Sequence, residues 1–343
     1  MPADGTLKVF ATALAVAALA TPVMRRLAVR LGMLDHPAER KVHAAAVPVL
    51  GGLALYLGVV VSLLIAPRSD ALVQLAAIVV GATWVSFWGL WDDRRGLGAG
   101  AKLLVQLTAA LATLAAGVRV ELPVPLWANV ALTLLWTIGI TNAVNLLDNM
   151  DGLASGVAAV AAAWFLVLAA MNGQVLVSSL AAAVLGACIG FLIYNFNPAS
   201  IFMGDSGSLF LGFVLAGVGI KLRFPANVPW VTWMVPVLVL LVAVFDTTLV
   251  VVSRLRRGKN PLTTPGRDHL SHRLVARGRT PREAVLLIYV VGSCSGGVAV
   301  FVSRAGATAA YAALALVALA GLAALVALER SPAAPPDRAG GSR

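Results

Sequence analysis

Residues 139–156 read GITNAVNLLDNMDGLASG, and this stretch decides how the chain folds. Asn142, Asn145, Asp148 and Asp151 recur every three residues. On a helical backbone that spacing puts them on roughly one face. Strongly apolar sequence flanks them on both sides. A carboxylate facing lipid costs about 2.5–3.5 kcal/mol. The four polar groups must therefore face protein, water or a bound ion, and we expect them to floor an active site at a membrane surface. Helix capping by Asn and Asp, with Gly152 as a turn, is the plainer alternative. It leaves the three-residue period unexplained.

Composition supports the membrane reading. The 343 residues are 60% hydrophobic and 12% charged, with a mean hydropathy of +0.90. A water-soluble domain does not have this composition; a polytopic helical membrane protein does. Eleven apolar stretches are near spanning length: 7–24, 47–66, 71–91, 102–118, 125–142, 153–171, 174–194, 207–222, 229–252, 283–303 and 307–328. The fourth and eighth are short, so the expectation is an all-α protein of about eleven (10–11) transmembrane helices. Residues 1–330 form one transmembrane domain in this reading, and the Pro/Gly/Ala-rich 331–343 a disordered tail. Residues 1–20 have only Lys8 before their apolar run, and Arg25, Arg26 and Arg30 follow it. They read as an uncleaved first helix rather than a signal peptide. Cys188 and Cys294 are lone thiols in apolar sequence, not a disulfide framework.

The basic residues set the orientation. With 25–46 placed in the cytoplasm and the spans alternating, 20 of the 26 Lys and Arg lie inside. The other six are Lys8, Arg68, Arg119, Lys221, Arg223 and Arg304. The amino terminus is then outside and the carboxyl terminus inside. The net charge of +11 is explained by this asymmetry and by attraction to anionic lipid or phosphate, not by nucleic acid. The same alternation puts every polar motif on the inner side, in or beside loops 25–46, 92–101, 142–152, 195–206 and 253–282. A one-sided arrangement fits a catalytic face. An ion-coupled transporter, the reading from another class, would place its site near the midplane and often show an inverted repeat. No repeat is visible.

Four further motifs carry chemistry. Asp92 and Asp93 end the third span in WDDRRGLGAGAKLL, where a glycine-rich turn can return Lys102 over the carboxylates. Carboxylates with a nearby lysine suit magnesium and phosphate. Residues 195–208, NFNPASIFMGDSGS, place a proline break and a glycine turn before Asp205 at the start of the eighth span. A helix amino terminus of that kind is a ready anion site, with Asp205 holding a divalent ion against the anion. Phe202 could stack on a base. Residues 267–273, RDHLSHR, offer a basic loop for a pyrophosphate; ligands for zinc are too few. The loop 35–52, DHPAERKVHAAAVPVLGG, has a proline- and glycine-shaped backbone, with Arg40, Lys41 and His43 as donors. Asp246 lies about 10 Å inside the ninth span at 1.5 Å per residue. It either packs helices with Thr247 and Thr248 or lines the groove.

Taken together, these motifs resemble the polyprenyl-phosphate N-acetylhexosamine-1-phosphate transferases, glycosyltransferase family 4, the MraY/WecA/TagO family. The resemblance runs from Asp35 to Arg273. It rests on D-x-P-x-x-R-K-x-H…V-P-x-x-G-G at 35–52, Asp92-Asp93, N-x-x-N-x-x-D-x-x-D-G-L-A-x-G at 142–156, the Asn195–Ser208 segment and the His269–Arg273 loop. It implies transfer of N-acetylhexosamine 1-phosphate from a UDP-sugar to undecaprenyl phosphate in the cell membrane, with the site facing the cytoplasm. Mg²⁺ is the implied cofactor, with Mn²⁺ able to stand in for it, and a homodimer is compatible with the family.

Residue by residue, the resemblance implies Asn145 and Asp205 at the metal. Lys102 falls on a substrate phosphate and Asp148 and Asp151 on the nucleotide side. Asp92 falls on the lipid phosphate, supported by Asp93. Lys41, Asn195, Phe202, His269, Ser271, His272 and Arg273 fall on the UDP-sugar. Ser271 stands where the WecA/TagO group usually has a histidine, and the triple histidine of MraY is absent. The WecA/TagO group, with a UDP-GlcNAc-type donor, is therefore favoured over lipid I synthesis by a phospho-MurNAc-pentapeptide transferase.

Overall fold

The computed structural model describes residues 3–35, 46–66, 71–261, 264 and 266–330. Lys41, with the 36–45 part of its loop, and the tail 331–343 lie outside the described residues. The helices are α1 (Ala3–Arg30), α2 (Gly51–Leu63), α3 (Leu72–Arg95), α4 (Ala99–Ala115), α5 (Leu126–Leu147), α6 (Leu153–Met171) and α7 (Val175–Asn195). They continue with α8 (Gly204–Lys221), α9 (Pro229–Thr232), α10 (Met234–Val239), α11 (Leu241–Arg256), α12 (Leu270–Ala276), α13 (Pro281–Arg304) and α14 (Ala307–Arg330). The protein is an all-α polytopic membrane protein. Its outward face carries large apolar side chains such as Val73, Leu135 and Leu316, each about 70% exposed. A bilayer, not water, is the solvent that makes this face stable.

Each of the eleven apolar stretches contains a helix, but not every one is a simple span. Seven helices are long and apolar enough to cross a bilayer singly, and an eighth crosses if its bent halves count as one. α2, α4 and α8 are shorter, at 13, 17 and 18 residues. The stretch 229–252, expected as one span, is α9, α10 and α11, with a 76° bend between Val239 and Leu241. Pro236 cannot donate to the carbonyl one turn back, and the break at Trp233 lies in the turn it disrupts. The sharper bend at Leu240 has no proline or glycine beside it.

α8 is the axis of the bundle. Every residue from Ser206 to Ile220 is buried. A helix apolar all round must be surrounded, and α3, α5, α2, α6 and α7 surround it. A two-stranded antiparallel pair, β1 (Leu34–Asp35) and β2 (Val47–Pro48), joins α1 to α2. Val49 continues β2 into a parallel bridge with Phe202. Phe202 donates its N–H to Pro48 O at 2.9 Å, and Gly51 and Gly52 donate to Phe202 O and Met203 O, both at 2.9 Å. The VPVLGG segment thus straps the backbone that leads into α8.

Candidate active site

The site begins where α3 ends and α8 starts. The first N–H groups of any helix lack intrahelical partners. Here the Asp93 carboxylate, on α3, receives the N–H of Asp205 at 2.8 Å and of Ser206 at 3.1 Å. Two glycines make this approach feasible. A Cβ on Gly89 would lie 2.6 Å from Asp205 O, so only glycine lets α3 pass so close. Gly204 has φ +69°, and a Cβ there would strike the Asp93 carboxylate. The expectation of an anion site at this helix terminus is therefore corrected: an internal carboxylate already fills it.

With its backbone held, Asp205 presents its side chain to two other helices. Lys102 Nζ on α4 donates to one oxygen at 2.7 Å, and Asn145 Nδ2 on α5 donates to the other at 2.9 Å. The same Asn145 nitrogen is 2.9 Å from Ser208 Oγ. Lys102 also pairs with Asp92, whose other oxygen accepts the N–H of Leu97. That bond closes the turn after α3 and brings Lys102 back over the carboxylates, as the glycine-rich linker suggested. Lys102 and Asp205 remain about a quarter exposed, so a ligand can reach them. Behind them, Gln106 on α4 and Asn142 on α5 exchange amide hydrogen bonds at 3.2 and 2.5 Å. Gln106 was missed in the sequence because it sits alone in an apolar helix. Its pairing with Asn142 also means that Asn142 braces α4 and α5.

Asp148 follows α5 and is the next acidic group. Burial pushes its carboxyl up to about 8, helped by the charges of Asp205, Asp93 and Asp151. Asp151 has a different task. Its carboxylate accepts from Asn197 Nδ2 at 3.0 Å and from the Ala199 N–H at 2.9 Å, holding the turn after α7. Asn195 is buried, with its oxygen accepting from Ser155 at 2.8 Å and its nitrogen donating to Ile201 O at 3.0 Å. Both residues fix the segment that carries Phe202 toward α8.

The loop between α11 and α13 is tied to the same region. Asp246 is buried and bonds His269 Nδ1 at 2.8 Å and the Leu270 N–H at 2.7 Å. It therefore neither packs through its threonine neighbours nor stands free in a groove; it orients His269 at the start of α12. Ser271 Oγ donates to Asn149 Oδ1 at 2.6 Å, joining this loop to the 142–151 stretch. Asn149 falls between the three-residue positions, which is why its role escaped notice. His272 is held well below the usual imidazole range, to about 4, by burial and then by the charges of His269 and Arg267. Arg273 is buried and committed. It donates to Asp268 O at 2.9 Å, Leu328 O at 2.6 Å and Ser253 Oγ at 2.7 Å, and pairs with Glu329 at 2.5 Å. It anchors the end of α14, so the geometry gives it no free donor face for a pyrophosphate.

The donor chemistry selects among metals. The groups that converge with Asp205 are oxygen carriers: Asp92, Asp93, Asp148 and Asn145. Among the described residues no three His, Cys, Asp or Glu side chains form a ready cage. A hard divalent ion needs none, since Mg²⁺ takes one or two carboxylates and completes its shell with substrate phosphate and water. Asp92, Asp93 and Asp205 near one lysine leave a surplus of acidic groups for such an ion to neutralise.

Comparison with known proteins agrees with this geometry. The family model described as glycosyl transferase family 4 matches residues 75–223, which run from α3 to just past α8. A probable undecaprenyl-phosphate N-acetylglucosaminyl 1-phosphate transferase of Bacillus subtilis is 38% identical over 292 residues, covering 82% of this chain and 81% of that protein. A decaprenyl-phosphate N-acetylglucosaminephosphotransferase of Mycolicibacterium smegmatis is 36% identical over 315 residues, covering 81% and 77%. A phospho-N-acetylmuramoyl-pentapeptide-transferase of Bacillus cytotoxicus is 35% identical over 236 residues, covering 62% and 73%.

Proposed function

The chain belongs to glycosyl transferase family 4, and from that premise we propose that it transfers N-acetylglucosamine 1-phosphate from UDP-N-acetylglucosamine to undecaprenyl phosphate. The observation that carries this reading is the meeting of Asp92, Lys102, Asn145 and Asp205, from four helices, at one partly open point.

An oxygen of the lipid phosphate attacks the β-phosphorus of the UDP-sugar. The new oxygen–phosphorus bond forms as the bond from that phosphorus to the bridging oxygen breaks, and UMP leaves with the bridging oxygen. A phosphate monoester has a second pKa near 6, so its attacking oxygen is already largely deprotonated at pH 7. The protein's contribution is then positioning and charge, as in other phosphoryl transfers. Asp92, bonded to Lys102, sets where the lipid phosphate lies. Lys102 shifts from the carboxylates to the phosphate oxygens, and Asp205 with Asn145 fixes the diphosphate end. Asp205 and Asn145 would hold Mg²⁺, which would supply neutralisation of the diphosphate charge. Phe202, held by the VPVLGG strap, is placed for the uracil, and Asp148 lies on the nucleotide side. His269, oriented by Asp246, and Ser271, fixed by Asn149, contact the sugar phosphate.

Eleven crossings with the amino terminus outside put this site at the cytoplasmic face of the cell membrane. The support is the excess of basic residues on the inner side, 20 against 6. UDP-sugars are on that side. The donor choice draws on the His269–Arg273 loop and on the two relatives whose names specify N-acetylglucosamine. Purified protein with undecaprenyl phosphate, Mg²⁺ and a panel of UDP-sugars, read as UMP release, tests the reading. UDP-N-acetylglucosamine should turn over. Turnover of UDP-MurNAc-pentapeptide alone would move the chain to lipid I synthesis, and turnover of no UDP-sugar would end the proposal.

A further inference from the structure

α8 has a second functional end. At about 1.5 Å per residue, its length places Lys221 roughly 25 Å from Asp205. A cavity of about 460 Å³ opens there, lined by Leu132, Trp136, Phe224 and Trp233 among others, with Glu121 and Arg223 at its polar part. That volume is in the range of ligand sites, about 300–1,000 Å³. Leu132 and Trp233 are each more than a third exposed, so the cavity communicates with the hydrocarbon. Trp127 and Trp230, at the same end of the bundle, are 74% and 48% exposed. Tryptophan in such positions marks the headgroup level of a bilayer.

The charge beside this cavity is unusual for its side. Only six Lys and Arg fall on the side opposite the acidic cluster, and Arg119, Lys221 and Arg223 gather at this one place. Among the described residues Glu121 is the carboxylate paired with this cluster: Arg223 lies 3.2 Å and Arg119 3.9 Å from it. Lys221 is within electrostatic reach of both Arg223 and Glu121. It has no hydrogen bond or ion pair among the described residues. Capping of α8 explains part of Arg223, which donates to Ile220 O and, at 3.4 Å, to Leu222 O. Lys221, in the last turn of α8, also suits the helix dipole, but the helix end does not explain Arg119. The backbone is also held: Gln174 exchanges hydrogen bonds with Arg223 N and O at 3.0 and 2.5 Å. Trp136 Nε1 is fixed on Ala216 O at 3.1 Å.

We propose that this cavity is a binding site for an anionic phospholipid, with an acyl chain in the Leu132–Trp233 cleft and the phosphodiester on Lys221, Arg119 and Arg223. The occupant is not the lipid acceptor of the reaction, whose phosphate must reach Asp92 at the far end of the bundle. It belongs to the leaflet opposite the active site, and that assignment of leaflet rests on the orientation proposed above. The bound lipid braces α8, and so the site at its other end.

The test uses the full chain in detergent. Native mass spectrometry and thermal melting are run with dioleoylphosphatidylglycerol, dioleoylphosphatidylcholine or inorganic phosphate. The variants are the double substitution Arg119→Gln with Lys221→Gln, and Leu132→Trp, which fills the cleft and leaves the charges. Phosphatidylglycerol should raise the midpoint of the unaltered protein more than either other probe. The double variant should retain one phosphatidylglycerol fewer, with its affinity weakened about thirty-fold, given about 1 kcal/mol for each of the two basic residues removed. Leu132→Trp should lose the same lipid. UMP release by the unaltered protein is assayed separately, so its failure would count against the proposed reaction and not against this site. Equal retention of phosphatidylglycerol by both variants would overturn the site. So would an equal shift with phosphatidylcholine or with phosphate alone.

Discussion

Asp93 on α3 caps α8, receiving the N–H of Asp205 at 2.8 Å, although 112 residues separate the two in the chain. The paired aspartates at the end of α3 thus divide their work. Asp92 turns toward Lys102 and the open side, and Asp93 turns inward to hold the helix that presents Asp205. Adjacent helical positions point about 100° apart, which is what allows the division.

Asp93→Ala should therefore fail through structure first. Loss of a cap costs about 0.5–2 kcal/mol, so the melting midpoint should fall. Displacing Asp205 by about 1 Å should lower kcat by roughly 100-fold. Asp93→Asn keeps an acceptor oxygen for one of the two N–H groups and should fall between. Melting measured beside UMP release checks this. Inactivation of Asp93→Ala with an unchanged midpoint would instead place Asp93 on the substrate.

Lys102 holds the Asp205 oxygen that a divalent ion needs, at 2.7 Å. With the divalent ion held at Asp205, as proposed, Lys102 and that ion would share the same carboxylate. Lys102→Ala should lower kcat by about 100-fold or more, since a cation that neutralises the reacting phosphates is gone. The same variant should reach half-maximal rate at a lower Mg²⁺ concentration than the unaltered protein. A Mg²⁺ titration of UMP release reads both effects. An increased Mg²⁺ requirement would show that Lys102 and the metal do not share Asp205.

How much of this was legible in the sequence depends on whether the information is local. The three-residue period of Asn142 to Asp151 does not lie on one helical face, because α5 ends at Leu147, Asp148 caps it and Asp151 holds the turn after α7. The glycine turn before Lys102 is a local pattern, and the structure uses it. The apolar runs gave the helices for the same reason. The cap on α8 is not local: nothing near Asp205 says that its N–H will meet a carboxylate from α3. Nor does anything near Arg273 say that it will be spent on Leu328 and Glu329 of α14. The 76° bend at Leu240 is likewise unmarked, since no proline or glycine stands beside it. Basic residues looked alike in the sequence, and only their partners separate an anchor such as Arg273 from an open group such as Lys102.

Arg273 supplies a prediction that separates these two roles. Its guanidinium and Glu329 are both more than nine-tenths buried. Breaking a buried pair from one side costs about 3–5 kcal/mol. Arg273→Lys cannot reproduce the planar fork that reaches Leu328, Ser253 and Glu329 together, and should melt well below the unaltered protein. The folded fraction should keep its KM for the UDP-sugar. A raised KM at an unchanged melting midpoint would return Arg273 to the pyrophosphate.

His272 sets a dependence on pH that belongs to stability more than to catalysis. Burial and the neighbouring His269 and Arg267 push it down to about 4, against a pull in the other direction from Asp246 and Asp268. In the unfolded chain it takes a proton near 6.5. Between those values the unfolded state binds a proton that the folded state refuses, so stability falls as pH drops. The contribution is fully present above about 6.5 and is lost progressively toward about 4. Melting scans from pH 8 to pH 4 should show this decline, and His272→Gln should flatten it. With its imidazole pushed down to about 4, any contact His272 makes with substrate near neutral pH would be a hydrogen bond and not a charge. The acidic limb of kcat/KM should therefore survive in His272→Gln. Disappearance of an ionisation near 6.5 from the rate profile of that variant would mean that His272 carries its proton in the working enzyme.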